Sequence, residues 1–268
     1  MNTTTLQTVT SKDGTRIAYE TFGSGPTVVV VPGAMQYRAF DQGLYELANL
    51  LSAHFTAVIY DRRGRGDSGD TQPFAVEREI EDIEALIDAN GGSAYLCGIS
   101  SGAALAMEAA LSLVDKVQKL VMYEPPYNAD ADARQAWASY RQNLQEALGQ
   151  GRKGDAVGLF MMLVGMPEEQ LPMMHQDPSW PLFEGIAPTL EYDAAALGAE
   201  ADVPLERASR LTTPALVMAG SETYPFMHAS ATALADVMPN GQYRQLEGQS
   251  HEVASSVLAP VLIEFFSA

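Results

Sequence analysis

The segment Gly98-Ile99-Ser100-Ser101-Gly102 has the clearest chemical character in the chain, because a glycine stands two positions away on either side of a serine. The apolar run 94–97 before it predicts a strand, and the alanine-rich run 103–111 after it predicts a helix. Such a turn lifts the serine out of the sheet edge, and glycine is needed where the backbones come too close for side chains. The pattern predicts that Ser100 is a nucleophile. It also places the backbone N–H of Ser101 at a helix N-terminus, where it can bind an oxyanion.

The elements that must position this turn follow an alternation of strands and helices. Short apolar or β-branched runs predict strands at residues 27–31, 55–60, 94–98, 120–123, 214–220 and 243–246. Helical patterns lie at residues 45–53, 75–90, 102–113 and 226–237. Ahead of them, residues 6–10 and 16–22 alternate around Asp13-Gly14, which is typical of a β-hairpin. Strands alternating with helices imply an α/β fold with a mostly parallel central sheet covered by helices on both faces.

The alternation stops between residues 128 and 207. This stretch has a helical pattern without a clear strand, and it contains both tryptophans, Trp137 and Trp180, together with several methionines. Because an insertion longer than the usual connection tends to carry function, we predict a helical cap at 128–207 on a core formed by 1–127 and 208–268. In the alternative interpretation, the methionines and aromatic residues only pack a small core of the insertion itself.

Three further segments have informative positions relative to the predicted strands. They are Val30-Val31-Pro32-Gly33-Ala34, Asp61-Arg62-Arg63-Gly64-Arg65-Gly66-Asp67-Ser68 and Gly248-Gln249-Ser250-His251. Together with the serine turn, they resemble the α/β-hydrolase family over nearly the whole chain. The resemblance implies the α/β-hydrolase fold and a serine-nucleophile branch of that family, but it says little about the substrate because this fold hosts many chemistries.

The resemblance also implies where the oxyanion hole lies. Residues 30–34 occupy the place of the family's oxyanion loop, although Pro32 stands where a histidine is usual. The donor that matters is the backbone N–H one residue after the glycine, so Ala34 and Ser101 are the two expected donors. In the second segment, we expect Asp61 and the neighbouring arginines to form a structural ion-pair and turn network. That segment lacks the Gly-Lys-Ser/Thr ending of a phosphate-binding loop, so nucleotide binding is rejected.

His251 is the predicted general base. The chain has four histidines. Of the other three, His54 ends a predicted helix, His175 lies in the insertion and His228 falls early in a predicted helix. His251 instead follows the last predicted strand through a glycine-containing loop, and it takes the last place in the family's order of serine, acid and histidine.

The acid that should orient the histidine is not at its usual place. In the family an aspartate commonly follows the seventh strand, but here that strand ends Ala219-Gly220-Ser221-Glu222-Thr223 and Thr223 stands at the aspartate position. A threonine hydroxyl cannot stabilise an imidazolium as a carboxylate does. Glu222 is adjacent, but a shift of one residue at a strand end turns its side chain in another direction. We favour Glu124, at the end of the sixth strand, where some family members carry the acid; Glu222 remains the alternative.

Composition and charge limit the partners. Thirty-four acidic residues against 16 basic ones give a formal charge of −18, which disfavours binding to nucleic acid or to anionic membranes. A single cysteine, Cys97, excludes an internal disulfide and a thiolate metal cluster, so we expect no metal and no cofactor. The N-terminus lacks the pattern of a secretory signal and no long apolar run is present. We therefore expect a cytoplasmic protein that acts on a small molecule, and a homodimer is compatible with the sequence.

These observations predict a serine hydrolase with a Ser100-His251-Glu124 triad and an acyl-enzyme intermediate. Its expected substrate is a small to medium, largely apolar and neutral ester or a related carbonyl compound. One alternative places cofactor-free lyase or decarboxylase chemistry, or hydrolysis of a carbon–carbon bond, at the same site. Another alternative is a non-catalytic small-molecule binding protein on the same fold.

Overall fold

The computed structural model describes residues 5–128 and 130–268. Residues 1–4, and Ala129 within the predicted insertion, fall outside the described part of the chain. The strands are β1 (Gln7–Thr10), β2 (Arg16–Phe22), β3 (Thr27–Val31), β4 (Thr56–Tyr60), β5 (Ala94–Ile99), β6 (Val117–Tyr123), β7 (Ala215–Gly220) and β8 (Gly241–Leu246). The α-helices are α1 (Gln42–Leu51), α2 (Val76–Ala89), α3 (Ser101–Ser112), α4 (Ala131–Gly149), α5 (Lys153–Leu163), α6 (Leu171–Met174), α7 (Trp180–Ile186), α8 (Leu190–Leu197), α9 (Leu205–Ala208), α10 (Pro225–Val237) and α11 (Ser255–Ser267).

All eight strands form one sheet in the order β1-β2-β4-β3-β5-β6-β7-β8. Strand β2 pairs antiparallel with β1 and with β4, and every pairing from β4 through β3 to β8 is parallel. The prediction of a mostly parallel α/β sheet and of an N-terminal hairpin is therefore confirmed. Because the parallel strands run in one direction, the residues that follow β3, β5, β6, β7 and β8 meet at one edge of the sheet.

The sheet separates two apolar cores. Side chains alternate between its faces, so Val28 and Val30 of β3 pack with the first core while Val29 and Val31 pack with the second. Helices α1 and α11 cover the first face, and α2, α3 and α10 cover the other. Burial on both faces explains why β3 carries four successive valines after Thr27, as is typical of a parallel strand inside a sheet.

Helix α11 was absent from the sequence-based prediction. Pro260 stands inside it, where it removes a backbone donor and weakens a helical reading of the sequence. Tertiary packing outweighs this cost, because Leu258, Leu262 and Phe266 are buried in the core beneath α1.

Helices α4 to α9 connect β6 to β7, and no strand lies among the described residues between them. We call this connection the β6–β7 segment. Its tryptophans, Trp137 and Trp180, are buried, whereas Met173 of α6 is 71% exposed. Tyr192 of α8 stacks on Phe74 of the core with ring centroids 3.7 Å apart. The Tyr192 hydroxyl also donates to Asp70 Oδ2 at 2.7 Å, so α8 is held against the core by a hydrogen bond as well as by ring stacking.

No helix in residues 5–128 and 130–268 combines the length and the apolar character needed to cross a bilayer.

Candidate active site

Ser100 occupies the turn between β5 and α3 in a conformation that non-glycine residues rarely adopt. Its φ is 56° and its ψ is −128°, values that cost free energy and persist only where the surroundings enforce them. The Ser100 N–H donates to the carbonyl of Tyr123 at 2.9 Å, which ties the turn to the neighbouring strand. A Cβ at Gly98 would overlap the backbone of Gly102, and a Cβ at Gly102 would overlap the carbonyl oxygen of Val31. Both glycines are therefore required by close backbone approach.

Three predicted site residues, distant in sequence, lie together in the structure. The Nε2 atom of His251 is 3.1 Å from Ser100 Oγ. On the other side of the ring, His251 Nδ1 is 2.7 Å from Glu124 Oε2. The His251 side chain is 40% exposed and that of Glu124 is fully buried. The imidazole thus links a reachable hydroxyl to a carboxylate shielded from water.

Glu124 is held by three donors. Its backbone has a positive φ of 47°, and its N–H donates to the carbonyl of Met218 at 2.9 Å. Gly220 N–H donates to Oε1 at 2.8 Å, and the Thr223 hydroxyl donates to Oε2 at 2.9 Å. Burial acts to raise the pKa of Glu124, but the hydrogen bonds from His251, Gly220 and Thr223 outweigh burial and hold the pKa below its usual value. The group is therefore a carboxylate at neutral pH.

The two candidate acids differ sharply in position. Thr223 stands where an aspartate was expected, and its hydroxyl now supports Glu124. Glu222 is exposed, and its backbone N–H donates to the carbonyl of Gln249 at 2.8 Å. The carboxylate that accepts a hydrogen bond from His251 Nδ1 belongs to Glu124.

The loop that carries His251 is fixed on several sides. Gly248 adopts a positive φ of 69°, and its N–H donates to Ser221 Oγ at 2.8 Å. The hydroxyl of Tyr123 donates to the carbonyl of Ser250, next to the histidine. A Cβ at Gly220 would overlap the carbonyl of Gln249, so only glycine fits at the end of β7.

The predicted oxyanion loop lies against the serine. A Cβ added to Gly33 would be 3.1 Å from the Cβ of Ser100. The Gly33 N–H donates to Gln36 Oε1 at 2.7 Å, which closes the loop on itself. Ser101 begins α3, where a backbone N–H has no acceptor within the helix. Ser101 thus follows Ser100 directly in sequence, and Gly33, which precedes Ala34, lies beside Ser100 in space.

The arginines after β4 form a buried ionic network, although the partners differ from those expected. Asp61 pairs with Arg38 at 3.0 Å, and it also accepts from the backbone N–H of Asp67 at 2.9 Å. The side chains of Arg62, Arg63 and Arg65 are fully buried. Their carboxylate partners come from α2, from the hairpin turn and from α8 of the β6–β7 segment.

Asp193 is the site residue that sequence reasoning missed. It lies in α8 and is 4% exposed, and its carboxylate accepts from Ser101 Oγ at 2.8 Å. It also accepts from Arg62 at 2.5 Å and from Arg65 at 2.6 Å. The surrounding residues 191–197 form no motif that could have indicated that Asp193 contacts Ser101 and the buried arginines.

Known proteins with similar sequences and structures are hydrolases. A family model described as "Alpha/beta hydrolase family" matches residues 28–261. The structure resembles an alpha/beta hydrolase from Sphaerobacter thermophilus at 46% identity and a TM-score of 0.84, over 97% of this chain and 100% of the other. A putative carbamate hydrolase, RutD, from Azorhizobium caulinodans is 23% identical over 90% of this chain and 89% of its own length. An uncharacterized hydrolase, YraK, from Bacillus subtilis is 30% identical over 42% of each chain, so this chain spans less than half of that relative.

Proposed function

The chain belongs to the alpha/beta hydrolase family and is a hydrolase; from that premise we propose that it is a serine hydrolase of small to medium, largely apolar, neutral esters. The observation that carries the proposal is the continuous set of hydrogen bonds from Ser100 through His251 to the buried Glu124. A serine hydroxyl is a weak nucleophile until an adjacent base takes its proton, and the base needs a third group to orient it. These three side chains have the chemical types and the distances for those roles.

In the first half of the reaction, Ser100 Oγ attacks the ester carbonyl while its proton passes to His251 Nε2. The resulting imidazolium keeps its Nδ1–H on Glu124, whose charge stabilises it. The tetrahedral intermediate then collapses, the bond to the alcohol breaks, and His251 returns the proton to the leaving oxygen. In the second half, His251 takes a proton from water as the water oxygen attacks the acyl-enzyme. The bond to Ser100 Oγ then breaks, His251 returns the proton to that oxygen, and the acid is released.

The negative oxygen of each intermediate is received by the backbone N–H groups of Ala34 and Ser101. Backbone donors need no reorganisation at the moment when the charge develops, and losing one donor in comparable sites costs about 3–4 kcal/mol of transition-state stabilisation. A chain with a net charge of −18 would not help an oxyanion through its overall field. Short-range donors must therefore supply this stabilisation.

In this proposal the β6–β7 segment acts as a cap over the active site, and its composition favours an apolar substrate. It contains a cavity of about 370 Å³ whose lining is apolar at Met166, Met173, Met174 and Phe183 and polar at Gln170, Asp177 and Ser179. Phe183 packs edge-on against Phe40 with ring centroids 4.9 Å apart. Phe40 belongs to the loop that begins at Ala34, so one residue that lines the cavity contacts that loop. A neutral ester also suits the acidic surface better than an anionic one.

The test uses p-nitrophenyl acetate and butyrate as substrates and a fluorophosphonate as a label for an activated serine. We expect the wild-type protein to hydrolyse at least one ester and to be labelled, and Ser100→Ala to lose both properties while remaining folded. His251→Ala should behave in the same way. The matched control His228→Ala removes a histidine that is hydrogen bonded to Tyr243 instead, and it should retain activity.

Other outcomes would redirect the assignment. Wild-type turnover by Ser100→Ala would refute the serine nucleophile. Labelling at Ser100 with no turnover of esters would favour lyase chemistry or hydrolysis of a carbon–carbon bond at the same site. Tight binding of a carbonyl compound without labelling would favour a binding protein. Because one relative is named a putative carbamate hydrolase, a p-nitrophenyl carbamate belongs in the substrate panel.

A further inference from the structure

A buried arginine contacts the outer side of the peptide that carries the proposed Ala34 donor. Arg65 Nη1 donates to the carbonyl oxygen of Gly33 at 2.6 Å. The Gly33 carbonyl and the Ala34 N–H belong to one planar peptide group, and in a trans peptide they point in opposite directions. Fixing the carbonyl therefore fixes the direction of the N–H. Because a Cβ at Gly33 would lie 3.1 Å from Ser100 Cβ, this peptide borders the nucleophile.

Arg65 depends in turn on a carboxylate from the β6–β7 segment. Asp193 Oδ2 accepts from Arg65 Nη2 at 2.6 Å, and the side chain of Arg65 is fully buried. Burial and the charge of Arg62 hold the pKa of Arg65 below its usual value, and the charge of Asp193 acts in the opposite direction. Within the described residues, Asp193 is the carboxylate at ion-pair distance from Arg65.

The same carboxylate reaches the second proposed donor. Asp193 Oδ1 accepts from the hydroxyl of Ser101 at 2.8 Å, across 92 positions of sequence. Ser101 is buried at the first position of α3. One side chain of α8 is thus hydrogen bonded directly to Ser101 and, through Arg65, to the Gly33 carbonyl of the peptide group that carries the Ala34 N–H.

We propose that Asp193 and Arg65 are positioning residues for the oxyanion hole, through which α8 of the β6–β7 segment sets the direction of the Ala34 and Ser101 N–H groups. The proposal rests on the serine-hydrolase function proposed above. A positioning role can be told from a purely structural role because it changes kcat and not the binding of the neutral substrate. A misdirected donor weakens binding of the transition state, in which the oxygen is charged, and leaves binding of the neutral ester unchanged.

The decisive variant is Arg65→Lys, with Arg63→Lys as its matched control. Both arginines are fully buried, lie in the same loop and are ion-paired to carboxylates. Among the described residues, however, Arg63 is bonded to Asp82, Asp13 and the carbonyl of Arg78 and not to the oxyanion loop. A lysine at position 65 keeps the charge, but it cannot bridge the Gly33 carbonyl and the Asp193 carboxylate as a guanidinium does. Each variant is titrated with a fluorophosphonate, and kcat and KM for p-nitrophenyl butyrate are expressed per labelled site.

We expect Arg65→Lys to lower kcat by about 10- to 100-fold with KM within about twofold, since losing a donor outright costs about 100- to 1,000-fold. An aryl trifluoromethyl ketone forms a tetrahedral oxyanion on the serine, and its affinity should fall by a similar factor. The matched methyl ketone, which binds without forming that adduct, should keep its affinity. Arg63→Lys should lower thermal stability but leave kcat per labelled site within about threefold.

If Arg65→Lys and Arg63→Lys lower kcat equally, or if the trifluoromethyl ketone binds Arg65→Lys as tightly as wild type, the proposal is wrong. Should Arg65→Lys not fold, Ser101→Ala decides the question. It keeps the Ser101 N–H but removes the hydroxyl that binds Asp193, so kcat should fall several-fold at constant KM; an unchanged kcat would contradict the proposal. A wild-type protein that no fluorophosphonate labels would instead refute the underlying hydrolase assignment.

Discussion

Replacing Glu124 by glutamine tests the proposed triad with a change of one atom. The carboxylate accepts from Gly220 N–H at Oε1, and from His251 Nδ1 and the Thr223 hydroxyl at Oε2. A glutamine can present only one oxygen, so its NH₂ group must face one of these two sides. The outcome depends on which neighbours can change from donor to acceptor.

The Gly220 N–H is a backbone donor and cannot accept, whereas a hydroxyl and an imidazole nitrogen can do either. The glutamine will therefore keep its oxygen on Gly220 and turn its NH₂ group toward Thr223 and His251. His251 Nδ1 must then accept a hydrogen bond, which moves the ring proton to Nε2. In that tautomer the Nε2 atom, 3.1 Å from Ser100 Oγ, cannot take the serine proton.

The expected loss follows from this error of tautomer together with the loss of the negative charge. The corresponding aspartate-to-asparagine change in a serine-protease triad lowers kcat by about 10⁴-fold. We expect Glu124→Gln to lower kcat by about 10³- to 10⁴-fold, which is about 4–5.5 kcal/mol of transition-state stabilisation. The assay is initial-rate hydrolysis of p-nitrophenyl butyrate per folded protein, with circular dichroism to confirm that the variant is folded.

The matched control is Glu222→Gln, which removes the same charge two residues beyond Gly220. Its side chain is exposed, so its kcat should stay within about twofold of wild type. A folded Glu124→Gln variant that keeps more than about a tenth of the wild-type kcat would refute the tautomer argument. A loss confined to Glu222→Gln would show that the acid had been assigned to the wrong residue.

Three further changes test other parts of the structure. Although burial opposes it, the hydrogen bond from Arg63 lowers the pKa of Asp13 to about 2, so its carboxylate stabilises the fold above its ordinary pKa and loses this effect as the pH falls through the folded value. Asp13→Asn should lower the free energy of unfolding in urea by about 1–2 kcal/mol at neutral pH, and the difference should vanish near pH 2. Gly98→Ala should lower the melting temperature by several degrees or prevent folding, because its Cβ would overlap the backbone of α3, whereas Gly149→Ala, with open space around its Cβ, should not. Phe183→Ala should raise KM for p-nitrophenyl butyrate more than for the acetate if the apolar cavity binds the acyl chain, and equal KM changes would contradict that role.

The parts of the fold that could be predicted from sequence are those decided by local pattern. A buried parallel strand such as β3 is apolar on both faces, with valine at four of its five positions, and the Asp13-Gly14 turn indicates a hairpin through backbone conformation alone. Helix α11 could not be predicted in this way because Pro260 interrupts its pattern and its stability comes from residues distant in sequence.

The same distinction applies to the site. Ser100 was predictable because the glycines that its turn requires stand beside it. The choice between Glu124 and Glu222 depends on which carboxylate faces His251, and the hydrogen bond to Glu124 spans 127 positions. Asp193 could not be predicted either, because its partners Arg65 and Ser101 are distant in sequence. The residues around it in sequence have the pattern of an ordinary helix.

The attachment of α8 to the core divides the β6–β7 segment into regions with different tolerance to change. In α8, Tyr192 and Asp193 are fastened to core residues, so substitutions there should impair turnover of every substrate alike. In α6 and α7, by contrast, Met173 and Leu182 are exposed, and residues around them line the apolar cavity. A library of variants confined to those two short helices should therefore alter which acyl chains are accepted without impairing the chemical step, and it offers the natural starting point for engineering selectivity.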